Sequence, residues 1–164
     1  MINVCPNILS PEDCRSIIRR GEWFRKISSS FDTQDDNKIK RAFVQPFIKG
    51  ILKKIESNFP QGKYSAELVR YDVGSKNADH CDVKGGFPLG FFNTPEMEWK
   101  YTGIILLNTD FEGGTLYFPN RRRSFSKESI GSLILFPAGN NFNLVHGVTP
   151  ITSGKRFTLV LRFI

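Results

Sequence analysis

The sequence predicts a mainly β domain with helices at its N-terminal end, an α+β chain. Three observations carry this. Between Pro46 and Ser57 the apolar residues Phe47, Ile48, Ile51, Leu52 and Ile55 recur at helical spacing, with lysines and Glu56 on the other side. From Tyr64 onward, short apolar runs are separated by turn residues, which suggests a β-sandwich or barrel. The final run alternates: Phe157, Leu159, Leu161 and Phe163 share one face, and Arg156, Thr158 and Val160 share the other. The apolar face needs a cover, which two helices can supply. The mixed face would line a ligand cavity.

In chain order, Ser10-Pro11-Glu12-Asp13 reads as a helix start. Ser10 can cap, Pro11 suits the first helical position, and the acids favour the positive end of the helix dipole. Ile17 and Ile18 give that helix a buried edge, and Gly21 is expected to end it. Residues 28–38 are polar and turn-rich, a loop. The second helix is expected from Pro46 to about Ser57; a start near Ile39 would put a kink at Pro46. Strands are expected at 64–73, 78–82, 100–108, 114–118, 131–136, 142–149 and 156–163. Residues 83–99 form a long loop. Gly85, Gly86 and Gly90 give it backbone freedom, and Phe87, Phe91 and Phe92 make it too apolar for a plain linker. It reads either as a loop packing rings onto the core or as a lid closing over a site.

At 164 residues the chain suits one domain with a sizeable core. The expected division is a helical support at 1–60 and a β core at 64–164. Phenylalanine is heavily used, 15 residues against 4 Tyr and 2 Trp, so the core is expected to be ring-rich. The net charge of +7 fits a basic soluble protein or one with an anionic partner. Cys5, Cys14 and Cys81 show no disulfide or zinc spacing, so a reducing, cytoplasmic setting is expected. No signal peptide or membrane-length apolar stretch is visible. Arg121-Arg122-Arg123 reads as a solvated basic turn.

His80-Cys81-Asp82 carries the chemistry. In an extended strand His80 and Asp82 point to one side and Cys81 to the other. One more histidine at that point would complete the two-histidine, one-carboxylate face used by non-haem Fe(II) oxygenases. His146 is the only other histidine. Arg156, downstream of it, could hold a carboxylate through two parallel charge-assisted hydrogen bonds, and the Tyr71 hydroxyl could add a third.

In order and spacing, these residues resemble the 2-oxoglutarate and Fe(II)-dependent oxygenases, and among them the prolyl 4-hydroxylase-like branch. The similarity takes in Asn7 to Cys14, Tyr71-x-x-Gly74, His80-x-Asp82, Leu107-Asn108, Gly113-Gly114-Thr115, Phe118-Pro119, Gly131 to Phe136, and His146 through Arg156. It implies a double-stranded β-helix (jelly-roll) with helices packed on one sheet, spanning residues 1–164. It implies His80, Asp82 and His146 as metal ligands, with Fe(II), 2-oxoglutarate, O2 and accessory ascorbate as cofactors. Arg156 would bind the distal carboxylate of 2-oxoglutarate with Tyr71, and Thr102 and Thr158 would be further contacts. The pattern departs from many relatives at Asn77 and Leu106, where they carry tyrosine, so some contacts differ.

The expected activity is hydroxylation of a substrate C–H bond, most like a peptidyl-prolyl or protein hydroxylase. Two alternatives stay open. One is the same chemistry on a free amino acid, another small molecule or a nucleic-acid base. The other is a non-catalytic jelly-roll module that binds a ligand or nucleic acid, against which the full set His80, Asp82, His146 and Arg156 argues.

Overall fold

The first helix, α1, runs from Pro11 to Ile27 in the computed structural model of the protein. Its start follows the expected cap chemistry. The Ser10 hydroxyl accepts the Asp13 backbone N–H at 3.1 Å, the N-cap bond, and donates to Asp13 Oδ2 at 2.8 Å. Gly21 does not end the helix. It is buried within α1, where a Cβ would collide with the Leu68 side chain and lie 3.0 Å from Val44 Cγ1. The glycine lets helix and sheet approach closely at this point. The structure describes residues 1–27, 39–85, 88–89, 92–93, 97–139 and 142–164, so the loop expected at 28–38 lies outside it.

The second helical segment is broken into three pieces: a 3-10 turn Gln45–Phe47, the helix α2 Lys49–Ile55, and a 3-10 turn Glu56–Asn58. No helix extends back to Ile39; Ile39–Phe43 is a strand. Helical turns also recur late in the chain, at Pro119–Arg121, Lys127–Ser129 and Phe142–Leu144, so helix is not confined to the N-terminal end.

The strands are β1 Asn3–Cys5, β2 Ile39–Phe43, β3 Tyr64–Tyr71, β4 Asn77–His80, β5 Lys84–Gly85, β6 Pro88–Leu89, β7 Phe92–Asn93, β8 Met97–Glu98, β9 Tyr101–Leu106, β10 Phe111–Gly113, β11 Leu116–Phe118, β12 Arg123–Phe125, β13 Leu133–Pro137, β14 His146–Val148, β15 Ile151–Gly154 and β16 Arg156–Phe163. A six-stranded sheet has the order β1-β13-β9-β16-β3-β2, and a four-stranded sheet the order β12-β11-β14-β4. The strand expected at 142–149 begins only at His146, after a 3-10 turn. Within 83–99, β5 pairs with β8 and β6 with β7. Gly86, Phe87, Gly90 and Phe91, on which the lid reading turns, lie outside the described residues.

Two cores follow from the alternation in β16. Leu159, Leu161 and Phe163 pack with Ile17 of α1 and with Ile51, Leu52 and Ile55 of α2. Val160, on the opposite face, packs with Val69, Phe118, Phe136 and Val148 between the two sheets. Burying such aliphatic and aromatic side chains stabilises the fold by roughly 1.5–3 kcal/mol each. An ion-pair cluster also ties α1 to β3: Arg70 Nη1 meets Glu22 Oε2 at 2.6 Å and Arg70 Nε meets Asp72 Oδ1 at 3.0 Å. Among the described residues the three cysteines form no disulfide, and no helix is long and apolar enough to cross a membrane.

Candidate metal centre

β4 and β14 pair antiparallel with His80 opposite His146, which brings the two imidazoles to 4.4 Å between ring centroids. Gly147 makes this pairing possible. A Cβ there would lie 2.5 Å from the Tyr117 hydroxyl and 2.8 Å from the Asn77 carbonyl. The same hydroxyl donates to Asp79 Oδ1, which ties β11 to β4 across the intervening β14. His146 is buried between Phe118, stacked at 5.4 Å, and Phe136, edge-on at 4.8 Å. β4 ends at His80, so Asp82 lies just past the strand, yet its carboxylate still reaches the histidine face.

Both rings are held in one tautomer. His80 Nδ1 lies 2.8 Å from the Ala78 carbonyl and His146 Nδ1 lies 3.0 Å from the Leu144 carbonyl. A ring that donates Nδ1–H to a carbonyl presents the lone pair of Nε2, the second contact that usually orients metal-ligating histidines. His80 Nε2 is 3.6 Å from Asp82 Oδ1, and His146 Nε2 is 3.5 Å from Asp82 Oδ2. These separations exceed hydrogen-bond length. The three donor atoms lie within 4.8 Å of one another, a set that could hold a metal ion. Cys81 is not part of it.

Two further groups fix the carboxylate. Thr102 Oγ1 donates to Asp82 Oδ2 at 2.9 Å, and Arg162 Nη2 approaches Asp82 Oδ1 at 3.3 Å. Thr102, expected as a further cosubstrate contact, has its hydroxyl on Asp82. Burial alone would raise the Asp82 pKa, but Arg162 and then the two histidines hold it well below the usual carboxylate range. Burial disfavours the His80 imidazolium, but Asp82 and the Ala78 carbonyl outweigh this and raise its pKa. Burial dominates at His146 and lowers its pKa.

Arg156, Tyr71 and Thr158 form a second group on the same inward face. Arg156 pairs in register with Tyr71 across β16 and β3, and its guanidinium sits 5.1 Å from the Tyr71 ring centroid. Arg156 and Thr158 are 3% and 1% exposed. Among the described residues Arg156 Nε is buried with no hydrogen-bond partner, and no carboxylate offsets the burial that lowers its pKa. A guanidinium is a donor-only cation, so this environment fits an anion.

A cleft of ≈ 320 Å³ opens beside this donor set, lined by His80, Asp82, Asn77, Trp99 and Arg162, with Arg41, Ser65 and Glu67 completing it. Arg156, Tyr71 and Thr158 are not among its lining residues. Arg162 was missed in the sequence, although extending the Arg156-Thr158-Val160 alternation by one step reaches it. Trp99 carried no pattern pointing to a site, whereas Asn77 stood out in the sequence only as a departure from the tyrosine of many relatives. Leu106 is buried between the sheets.

A mainly β chain whose two sheets meet around two imidazoles and one carboxylate is of the class of proteins with a two-histidine, one-carboxylate donor set that could hold a metal ion. No family model matches the chain. A protein of Acanthamoeba polyphaga mimivirus described as a putative prolyl 4-hydroxylase is 24% identical over 176 residues, which cover 98% of this chain and 72% of that protein. Among solved structures, the collagen prolyl hydroxylase of Paramecium bursaria Chlorella virus-1 in its 2-oxoglutarate complex aligns with TM-score 0.66 at 16% identity, over 99% of this chain and 96% of that one. A Pseudomonas putida prolyl 4-hydroxylase aligns with TM-score 0.64 at 15% identity, over 99% and 91%. A Trichoplax adhaerens prolyl hydroxylase in complex with a hypoxia-inducible-factor peptide aligns with TM-score 0.63 at 15% identity, over 99% and 83%. In fold and in sequence the chain is similar to these prolyl hydroxylases, the resemblance that its motifs carry to the prolyl 4-hydroxylase-like branch of the 2-oxoglutarate/Fe(II) oxygenases.

Proposed function

We propose that the chain is an Fe(II)- and 2-oxoglutarate-dependent dioxygenase that hydroxylates a C–H bond of a peptide or protein, most like a prolyl hydroxylase. We read residues 1–164 as one such domain, and the six- and four-stranded sheets as the two layers of a double-stranded β-helix. The observation that carries the reading is the convergence of His80 Nε2, His146 Nε2 and the Asp82 carboxylate, with both Nδ1 atoms engaged by backbone carbonyls. His80, Asp82 and His146 would hold the iron, leaving positions for 2-oxoglutarate and O2. When bound, the iron supplies the oxidative chemistry in which 2-oxoglutarate, O2 and R–H become succinate, CO2 and R–OH.

The chain's own residues position and shield. The Arg156 guanidinium would take the distal carboxylate of 2-oxoglutarate in a charge-assisted fork. Tyr71 stacks on that guanidinium, and Thr158 lies on the same buried face. Thr102 holds one Asp82 oxygen so that the carboxylate cannot rotate freely. Phe118 and Phe136 keep water from the buried side of His146. Accessory ascorbate is part of the same reading, and a nucleic-acid substrate has no support in the site. The test is aerobic incubation of the full chain with Fe(II), 2-oxoglutarate and proline-containing peptides. The expected result is a mass gain of one oxygen matched by succinate. Substrate oxidation that proceeds without 2-oxoglutarate would refute the reading.

A further inference from the structure

The cleft beside the candidate metal centre holds two hydrogen-bond donors that have no partner among the described residues. Arg162 Nη1 is buried without a partner, and so is Trp99 Nε1. Both residues line the same cleft, and the Arg162 guanidinium lies over the Trp99 indole at 4.6 Å. Both atoms can only donate. Folded proteins rarely leave a buried donor unmatched, and two stacked in one concave site point to an acceptor that arrives with a ligand.

Charge narrows the ligand. Two guanidinia, Arg41 and Arg162, line the cleft with two carboxylates, Glu67 and Asp82. Glu67 faces Arg41 at 3.5 Å. Asp82 faces Arg162, but its charge is the one anionic ligand of the metal centre. With a divalent ion on Asp82, Arg162 shares only Glu67 with Arg41, and the cleft carries excess positive charge. The 2-oxoglutarate anion has its own guanidinium in Arg156, which does not line this cleft.

Resting on the oxygenase reading above, we propose that this cleft selects a substrate bearing a carboxylate near the hydroxylated carbon, with Arg162 and Trp99 Nε1 as its recognition pair. The carboxylate is either the free α-carboxylate of a terminal or single residue, or an acidic side chain beside the target in a peptide. The cleft's ≈ 320 Å³ suits one or two residues rather than a long segment.

The test uses matched probes that differ only in charge. Acetyl-proline against acetyl-prolinamide reads the α-carboxylate. Acetyl-Pro-Glu-amide against acetyl-Pro-Gln-amide reads the side chain. The full chain with Fe(II) and 2-oxoglutarate is expected to favour the carboxylate member of one pair at least tenfold in kcat/KM. Arg162→Gln is expected to bring that ratio to within about twofold of one, and Trp99→Phe to reduce it severalfold. The ratio is read within one preparation, so a metal site weakened by loss of the Arg162–Asp82 contact lowers both members and leaves the ratio. A ratio near one in the wild-type protein for both pairs, or a ratio unchanged in Arg162→Gln, overturns the proposal. So does an Arg162→Gln effect confined to the KM for 2-oxoglutarate, which would make Arg162 the cosubstrate anchor.

A binding readout separates this proposal from the oxygenase reading. The chain has only two tryptophans, so the indole N–H region of a ¹⁵N spectrum holds two signals, and Trp99→Phe identifies one. In the Zn(II)-loaded protein with 2-oxoglutarate, a carboxylate probe is expected to shift the Trp99 signal and its amide partner to leave it in place. A selective shift without succinate formation in the Fe(II) protein would refute the oxygenase reading and leave the carboxylate site standing. Succinate formation without a selective shift would do the reverse.

Discussion

Asp82 is the residue on which the candidate centre turns, because it is the only anion in the donor set and four neighbours face it: His80, His146, Thr102 and Arg162. One oxygen is held by Thr102 and the other faces Arg162. Contacts that orient metal ligands commonly carry about 10–100-fold in metal affinity. Thr102→Val keeps the shape of the side chain and removes the donor, so it is expected to weaken Fe(II) or Mn(II) affinity by about that factor, read by metal titration. Arg156 makes a different demand. A hydrogen bond to a charged group contributes roughly 1.5–3 kcal/mol, and about 1.4 kcal/mol is a tenfold change in affinity. Arg156→Gln is therefore expected to raise the 2-oxoglutarate requirement by one to two orders of magnitude while metal affinity stays the same. Arg156→Lys is expected to recover part of it, because lysine keeps the charge and loses the planar fork. An unchanged 2-oxoglutarate KM in Arg156→Gln would remove this residue from the cosubstrate site.

At the scale of elements, β16 serves both cores. Leu161 is fully buried against the helices, and its neighbour Arg162 faces the cleft. Leu161→Ala is expected to cost about 2–5 kcal/mol in denaturant unfolding, the usual range for a buried leucine. The cap of α1 offers a milder test. Ser10→Ala removes the Asp13 cap contact and is expected to cost about 1 kcal/mol. Lys54, 2.8 Å from Asp13 Oδ1 and so a tie between α1 and α2, leads Ser10 in depressing the Asp13 pKa. A carboxyl depressed in the folded state stabilises above its unfolded pKa and loses that contribution as pH falls through the folded one. Asp13→Asn is thus expected to flatten the acid limb of the stability curve. These elements were legible because their signals are local: a two-residue period for β16, and a Ser-x-x-Asp start for α1. The histidine pair was legible for the same reason, being the chain's only two. What escaped depends on distant partners. Gly21 read as a helix end, yet Leu68 and Val44 decide its role. β10, β12 and β15 are too short to show a period. Ile39–Phe43 becomes strand only because β3 offers it an edge. Arg162 and Trp99 gain meaning from stacking on each other, which no spacing announces.

For the whole molecule, the candidate metal centre lies where the two sheets meet. β14 and β4 of the four-stranded sheet supply the histidines, and Thr102 of β9 and Arg162 of β16 in the six-stranded sheet hold Asp82. The donor set is assembled only when both sheets are in place, so an ion that binds it binds the folded state. Such binding stabilises by about 2.7 kcal/mol when free metal is 100 times Kd. For a chain of this size each kcal/mol moves Tm by roughly 2–4 °C, so Mn(II) at that excess is expected to raise Tm by about 5–11 °C. Excess chelator should reverse the shift. Asp82→Ala should abolish it, because the remaining imidazoles bring no charge to offset a divalent ion. Adding 2-oxoglutarate should raise Tm further, and in Arg156→Gln that second increment should shrink while the metal increment persists. Equal metal-induced shifts in the wild-type protein and in Asp82→Ala would mean that the ion binds elsewhere, and the assignment of this centre would fall.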